Sequence, residues 1–189
     1  MASLAAVKVI RTDVDGLLVF EPTPHRDERG YFTRTFDVEV AARAGVDPSR
    51  FVQENQSRSY QGVVRGLHGR GGTGEAKIVR CAHGAVLDVV VDARPGSATF
   101  GAVRSFVLDD QVHRQLYIPR GFLHGFQALT AVTDVCYKMD DFYSPGDDIT
   151  VAFDDPELDV AWPAPITIVS ERDRAGLSWA QYRASVGVD

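Results

Sequence analysis

The run Ala85-Val86-Leu87-Asp88-Val89-Val90-Val91-Asp92 sorts its side chains into two sets with a period of two. Leu87, Val89 and Val91 fall on one face of an extended chain, and Asp88 and Asp92 join Val86 and Val90 on the other. Similar short strands are predicted at Val63–His68, Ala76–Cys81, Ala102–Leu108, Arg114–Ile118, Phe122–Leu129 and Val132–Met139. Turn formers separate them: Gly71-Gly72-Thr73-Gly74, Arg94-Pro95-Gly96-Ser97, Asp109-Asp110, Pro119-Arg120-Gly121 and Ser144-Pro145-Gly146. Many short strands at even spacing, with little helix, predict an all-β sandwich or barrel of the jelly-roll kind. Helix is expected only near Val38–Ala44, stopped by Gly45, and after Ser170. No repeat, low-complexity run or linker interrupts the pattern, so residues 1–189 read as a single domain.

Charge narrows the function. The net charge is -6, and the Lys and Arg residues are scattered, so no basic stripe suits a nucleic acid. A few converging cations could still hold a phosphate. Cys81 and Cys136 stand alone among apolar residues and read as buried free thiols of a reducing compartment. Lys8, Arg11, Asp13 and Asp15 break the first apolar run, which leaves no signal-peptide core. No stretch is long enough to span a bilayer. A cytoplasmic protein without membrane partners is expected.

Five histidines are present, and no two are closer than eleven residues. Without a His-x-His pair, and with Arg70 two residues beyond His68, a metal site is not expected. His68 ends a strand before a glycine-rich turn, and His124 alternates with Phe122 and Phe126. Each of the two, taken alone, also suits a hydrogen-bonded structural histidine. If the strands flanking residues 71–74 pair as a hairpin, Arg65, His68 and Lys77 share the barrel interior. Buried cations need a partner, and a bound diphosphate is a natural one. Solvated outer-face charges are the alternative. Tyr137 reads as core filler with a satisfied hydroxyl. Ser170-Glu171-Arg172-Asp173 reads, on spacing alone, as a capping box.

Taken in order, a dozen segments resemble the dTDP-4-keto-6-deoxyglucose 3,5-epimerase (dTDP-4-dehydrorhamnose 3,5-epimerase) family. The first are Asp27-Glu28-Arg29-Gly30-Tyr31-Phe32, Phe51-Val52-Gln53-Glu54-Asn55-Gln56-Ser57 and Gly62-Val63-Val64-Arg65-Gly66-Leu67-His68. Ala76-Lys77-Ile78-Val79-Arg80, Asp88-Val89-Val90-Val91-Asp92 and Arg94-Pro95-Gly96-Ser97 follow. Then come Arg114-Gln115-Leu116-Tyr117-Ile118-Pro119, Gly121-Phe122-Leu123-His124-Gly125-Phe126 and Tyr137-Lys138. Tyr143-Ser144-Pro145, Asp154-Asp155-Pro156 and Ser170-Glu171-Arg172-Asp173 complete the set. The resemblance implies a cupin-like jelly-roll β-barrel with short peripheral helices, assembled as a homodimer that swaps its N-terminal segment.

The resemblance also implies roles. His68 matches the base and Asp173 the carboxylate that orients it; Lys77 matches the lysine beside the substrate oxygen, and Tyr137 the phenol that delivers a proton. Arg65, Gln53 and Asn55, with Arg29 and Phe32 from the swapped segment, match nucleotide-binding positions. His124 and Tyr143 match residues lining the pocket. The implied reaction is epimerisation at carbon 3, carbon 5 or both of a nucleotide-linked, dTDP-type 4-keto-6-deoxyhexose. The alternatives are a keto-sugar isomerase of the same fold and a non-catalytic sugar-nucleotide-binding barrel.

These residue types suit that chemistry. A proton beside a ketone leaves only if the enolate oxygen is stabilised as charge develops, which a cation in a dry pocket can do. Histidine is basic near neutral pH, and a carboxylate fixes its tautomer. Inversion needs a donor on the opposite sugar face. No cofactor is required, and no Gly-x-Gly-x-x-Gly run suggests one. The chain departs from the family where an aromatic residue usually follows the base, since Gly69-Arg70 stands here, and at Arg34, where glutamate is usual.

Overall fold

A computed structural model of the chain describes residues 7–142 and 144–188. The hairpin β1 (Val7–Arg11) and β2 (Leu18–Pro22) comes first, then the small hairpin β3 (His25–Asp27) and β4 (Gly30–Phe32), then α1 (Val38–Arg43). The main strands follow as β5 (Gln53–Tyr60), β6 (Val64–Arg70), β7 (Lys77–His83), β8 (Ala85–Asp92) and β9 (Val103–Asp109). Next are β10 (Gln115–Ile118), β11 (Phe122–Ala128), β12 (Val132–Met139) and β13 (Asp148–Thr150). Two short helices, α2 (Glu171–Arg174) and α3 (Trp179–Ser185), come after them.

The strands form two large antiparallel sheets. One runs β1-β2-β10-β7-β12-β5 and the other β13-β6-β11-β8-β9. This is the cupin-like, all-β architecture with few short helices. Each face of β8 is buried in a different cluster, as its period of two requires. Val86 and Val90 join Val79, Leu116, Phe126 and Val135 between the sheets. Val89 and Val91 face the other way, against Leu158, Trp179 and Tyr182 from the C-terminal segment. That segment is pinned by a capping box of Ser178 and Gln181 and by the Tyr182 hydroxyl, which donates to the Ala93 carbonyl.

The predicted helix near residue 38 forms because Asp37 caps it, accepting from the Glu39 and Val40 amides. It stops at Gly45, whose φ of +90° suits glycine. Cys81 and Cys136 are free and buried, and burial pushes the Cys81 thiol up to about 12. Among the described residues no helix is long and apolar enough to cross a membrane.

The strands flanking residues 71–74 do not pair with each other as a hairpin. β6 pairs with β11 and β13, whereas β7 pairs with β10 and β12. The connection turns a corner from one sheet to the other. Its polar groups are met by Arg120, whose guanidinium donates to Thr73 Oγ1 at 3.0 Å and to the Gly74 carbonyl at 2.7 Å. No ladder between β6 and β7 is needed to satisfy them. The corner places Arg65 and His68 on one wall of the interior and Lys77 on the facing wall.

Candidate active site

Seven side chains from the two facing sheets line a cavity of about 140 Å³. Arg65, His68, His124 and Phe126 come from the five-stranded sheet; Ser57, Lys77 and Tyr137 come from the six-stranded one. On a regular strand Arg65 and His68, three residues apart, would point to opposite faces. Two features bring them to one side. Gly66 has φ +135°, and the pairing with β11 shifts register between His124 and Phe126. A side chain at Gly66 would meet Gly125 Cα at 2.5 Å, so both glycines are needed for the close approach.

His68 Nε2 lies 2.6 Å from Asp173 Oδ1. The other carboxylate oxygen accepts from the Gly66 amide at 3.3 Å, and Ser170 Oγ accepts the Asp173 N–H at 3.1 Å. Ser170 is therefore the helix cap that spacing predicts, while the Asp173 carboxylate serves the histidine. Burial pushes the Asp173 carboxyl up, but the hydrogen bond and charge of His68 outweigh it and hold the group below its ordinary value.

A second histidine–carboxylate pair stands beside the first. His124 is the cross-strand neighbour of His68, and its Nε2 lies 2.8 Å from Asp88 Oδ2. Asp88 is wholly buried, which raises its pKa against the opposing pull of His124 and Lys77. Tyr137 is raised by burial, with Arg65 opposing, so its phenol stays protonated near neutral pH. Lys77 is buried, with Nζ 3.0 Å from Glu75 Oε1. Arg65 donates to Ser59 Oγ at 3.0 Å and to the Arg58 carbonyl at 3.1 Å.

A wider opening of about 340 Å³ adjoins this cavity and shares Arg65 and His68 with it. Ile168, Ser170, Arg172 and Asp173 continue its wall. Gln53 and Asn55 lie on the same face of β5 as Ser57, with amides toward Met139 Sδ at 3.6 and 3.2 Å. Arg29 and Phe32 lie apart from both openings, exposed on the β3–β4 hairpin, where Arg29 pairs with Asp27. Tyr143 falls outside the described residues. Arg34 pairs with Asp37 at 2.6 Å. Among the described residues no group of three or more His, Cys, Asp or Glu could hold a metal ion.

Sequence reasoning missed Ser57, Phe126, Asp88, Arg172 and Glu75 as parts of this site. Phe126 and Asp88 had a usable signal, since each shares strand parity with an inward neighbour, His124 or Val90. Ser57 stands in the quoted motif, two residues from Asn55. Arg172 and Glu75 lie where no periodicity runs.

Fold and site together define a cupin-like barrel, with a pocket of paired histidines and carboxylates between two antiparallel sheets. The family model for dTDP-4-dehydrorhamnose 3,5-epimerase matches residues 11–181. The dTDP-4-dehydrorhamnose 3,5-epimerase of Methanothermobacter thermautotrophicus is 40% identical over 174 residues, 90% of this chain and 94% of that one. The dTDP-4-dehydrorhamnose 3-epimerase of Streptomyces niveus is 39% identical over 171 residues, 90% of this chain and 83% of that one. A crystal structure of the dTDP-6-deoxy-D-glucose-3,5-epimerase of Legionella pneumophila, in complex with dTDP-4-keto-L-rhamnose, superposes with a TM-score of 0.90. It is 37% identical and covers 96% of this chain and 97% of its own. The chain belongs to the dTDP-4-dehydrorhamnose 3,5-epimerase family, a family of isomerases.

Proposed function

We propose that this protein inverts carbon 3, carbon 5 or both of a dTDP-linked 4-keto-6-deoxyhexose, by proton transfer and without a cofactor. The observation that carries the reading is one cavity in which His68, paired with Asp173, faces Lys77 and Tyr137 on the opposite sheet.

Asp173 holds His68 Nε2, which leaves Nδ1 to take the proton beside the ketone. Asp173 then supports the imidazolium that forms. Lys77 meets the charge that develops on the enolate oxygen, inside a pocket where water screens it little. Tyr137 supplies its proton to the opposite face of the carbon. The Arg65 charge, which lowers the phenol's pKa against burial, eases that transfer. Exchange with solvent returns His68 and Tyr137 to their starting states.

The sugar occupies the inner cavity, and the nucleotide lies along the wider opening, with Arg65 at the junction gripping the diphosphate. His124 lines the sugar site, Tyr143 is assigned to it by the family resemblance alone, and Gln53 and Asn55 extend the nucleotide site. Arg29 of the partner subunit and Phe32 of the partner subunit complete it in a homodimer. The exposure of the whole hairpin, away from its own cavity, supports the swap. The protein works as one domain in the cytoplasm.

Proton NMR in deuterated water with dTDP-4-keto-6-deoxyglucose tests the reading. The expected result is deuterium at carbon 3 or carbon 5 together with inverted configuration. Incorporation with the ketone moved to a neighbouring carbon identifies a keto-sugar isomerase. Binding without incorporation identifies a non-catalytic barrel.

A further inference from the structure

Glu75 is buried two residues before Lys77 and stands between two cations. Its Oε1 lies 3.0 Å from Lys77 Nζ, and its Oε2 lies 3.0 Å from Arg70 Nη2. The Arg70 side chain is only 5% exposed, and its Nη1 donates to the Phe142 carbonyl at 2.5 Å. Arg70 follows Gly69, and Gly69 is the residue directly after the base, where the family resemblance leads one to expect an aromatic ring.

Topology makes this cluster part of the site. Arg70 ends β6, two residues beyond His68, and Glu75 enters β7, which begins at Lys77. Between them runs the corner of residues 71–74, where the chain passes from one sheet to the other. The Arg70–Glu75–Lys77 chain therefore ties the strand carrying the base to the strand carrying the lysine, at the point where no ladder joins them. A buried ion pair contributes little to stability once desolvation is counted. Three charges held in one corner, with Lys77 lining the cavity, point to the reaction instead.

We propose that Glu75 is a positioning residue for Lys77, and that Arg70 offsets the Glu75 carboxylate so that the lysine's charge stays available to the substrate oxygen. The inference rests on the epimerase reading above. A lysine has four rotatable side-chain bonds, and a fixed carboxylate removes that freedom before substrate arrives. A carboxylate alone would also cancel much of the ammonium's field in a low-dielectric pocket. Arg70 restores a net positive cluster, because two cations then face one anion.

The test uses the intact protein and dTDP-4-keto-6-deoxyglucose, reading kcat, KM and solvent-deuterium incorporation. Glu75→Gln keeps the shape and removes the charge. We expect kcat and deuterium incorporation to fall together by about tenfold or more, with KM within about threefold of wild type, and Glu75→Asp to recover part of the loss. In a Lys77→Ala background, Glu75→Gln should add less than about twofold, because it acts through the lysine. Arg70→Gln, which leaves the Glu75–Lys77 pair intact, should also lower kcat without raising KM. Calorimetric binding of dTDP and a thermal melt confirm that each variant is folded. If Glu75→Gln does not fold, Arg70→Gln alone decides. Wild-type kcat in the folded variants, or losses that multiply fully with that of Lys77→Ala, would overturn the inference and leave the epimerase reading standing. If the wild-type protein incorporates no deuterium, the epimerase reading fails and this inference fails with it.

Discussion

His68 Nε2 and Asp173 Oδ1 lie 2.6 Å apart although 105 residues separate them in the chain. The contact joins the middle of a strand to a four-residue helix, and the Gly66 amide, on the same strand, holds the other carboxylate oxygen. The imidazole is thereby fixed in orientation before any substrate binds, so removal of a proton and its replacement can be separated by mutation.

His68→Asn is expected to abolish both deuterium exchange and inverted product. Tyr137→Phe keeps the ring and its packing while deleting the hydroxyl. That variant should still exchange, because His68 can return a deuteron to the face it came from, with product lowered by about 10²–10⁴-fold. NMR in deuterated water separates the outcomes. Wild-type epimerisation by Tyr137→Phe would move the donor role to another group, and normal exchange by His68→Asn would remove the base.

The hairpin bearing Arg29 and Phe32 is expected to act in trans. A variant lacking both side chains (Arg29→Ala with Phe32→Ala) and His68→Asn should each be inactive. Unfolded and refolded together, they should recover about a quarter of wild-type activity, because each mixed dimer holds one intact site. No recovery, with mixed dimers demonstrated by light scattering and mass spectrometry, would show that the hairpin serves its own subunit's site and overturn the swap. A fully active Arg29→Ala/Phe32→Ala variant would place the hairpin outside the site.

Arg65 lies where the inner cavity meets the wider opening, which makes it the expected grip on the diphosphate. Arg65→Ala should weaken dTDP binding by about tenfold or more, as the loss of charge-assisted hydrogen bonds requires. The melting temperature should change little, since Arg65 bonds only Ser59 Oγ and one carbonyl among the described contacts. Unchanged affinity in calorimetry would remove the assignment.

Asp92 concerns the fold rather than the reaction. Burial would push its carboxyl up, but hydrogen bonds from Arg94, Ser97 and Thr99 hold it at about 2, against an ordinary 3.8. A carboxyl depressed in the folded state stabilises it above the ordinary value and loses that contribution as pH falls through the folded one. Asp92→Asn should therefore cost roughly 2 kcal/mol at neutral pH. The gap should shrink as pH falls from 3.8 toward about 2, measured by urea denaturation across that range. A gap constant with pH would show that charge plays no part.

Strands whose two faces meet different surroundings were legible in the chain itself. β12 forms at the predicted Val132–Met139, and β8 buries the two faces that its alternation separates. β5 overlaps the Phe51–Ser57 motif but carries no hydrophobic strand alternation. Its inward row, Gln53, Asn55, Ser57 and Ser59, is polar where it runs along the cavity side of the sheet, so hydrophobic alternation is missing where the site is built.

The sequence by itself determined the all-β class, the short helices and their caps, and, through motifs in order, the family and its candidate residues. The class and the helices follow from side-chain period, turn chemistry and spacing, which are local, and the family and its candidate residues from the resemblance that the ordered motifs carry. Tertiary structure alone decided which residues meet. Arg65 and His68 share a side only because Gly66 and the shifted register on β11 undo the parity of a regular strand. Lys77 faces His68 only because residues 71–74 turn a corner from one sheet to the other rather than closing a hairpin. Asp173, a helix-cap residue by spacing, turns its carboxylate to a histidine on another element. Each of these depends on backbone direction and on contacts across the sheets, and no window of neighbouring residues encodes either.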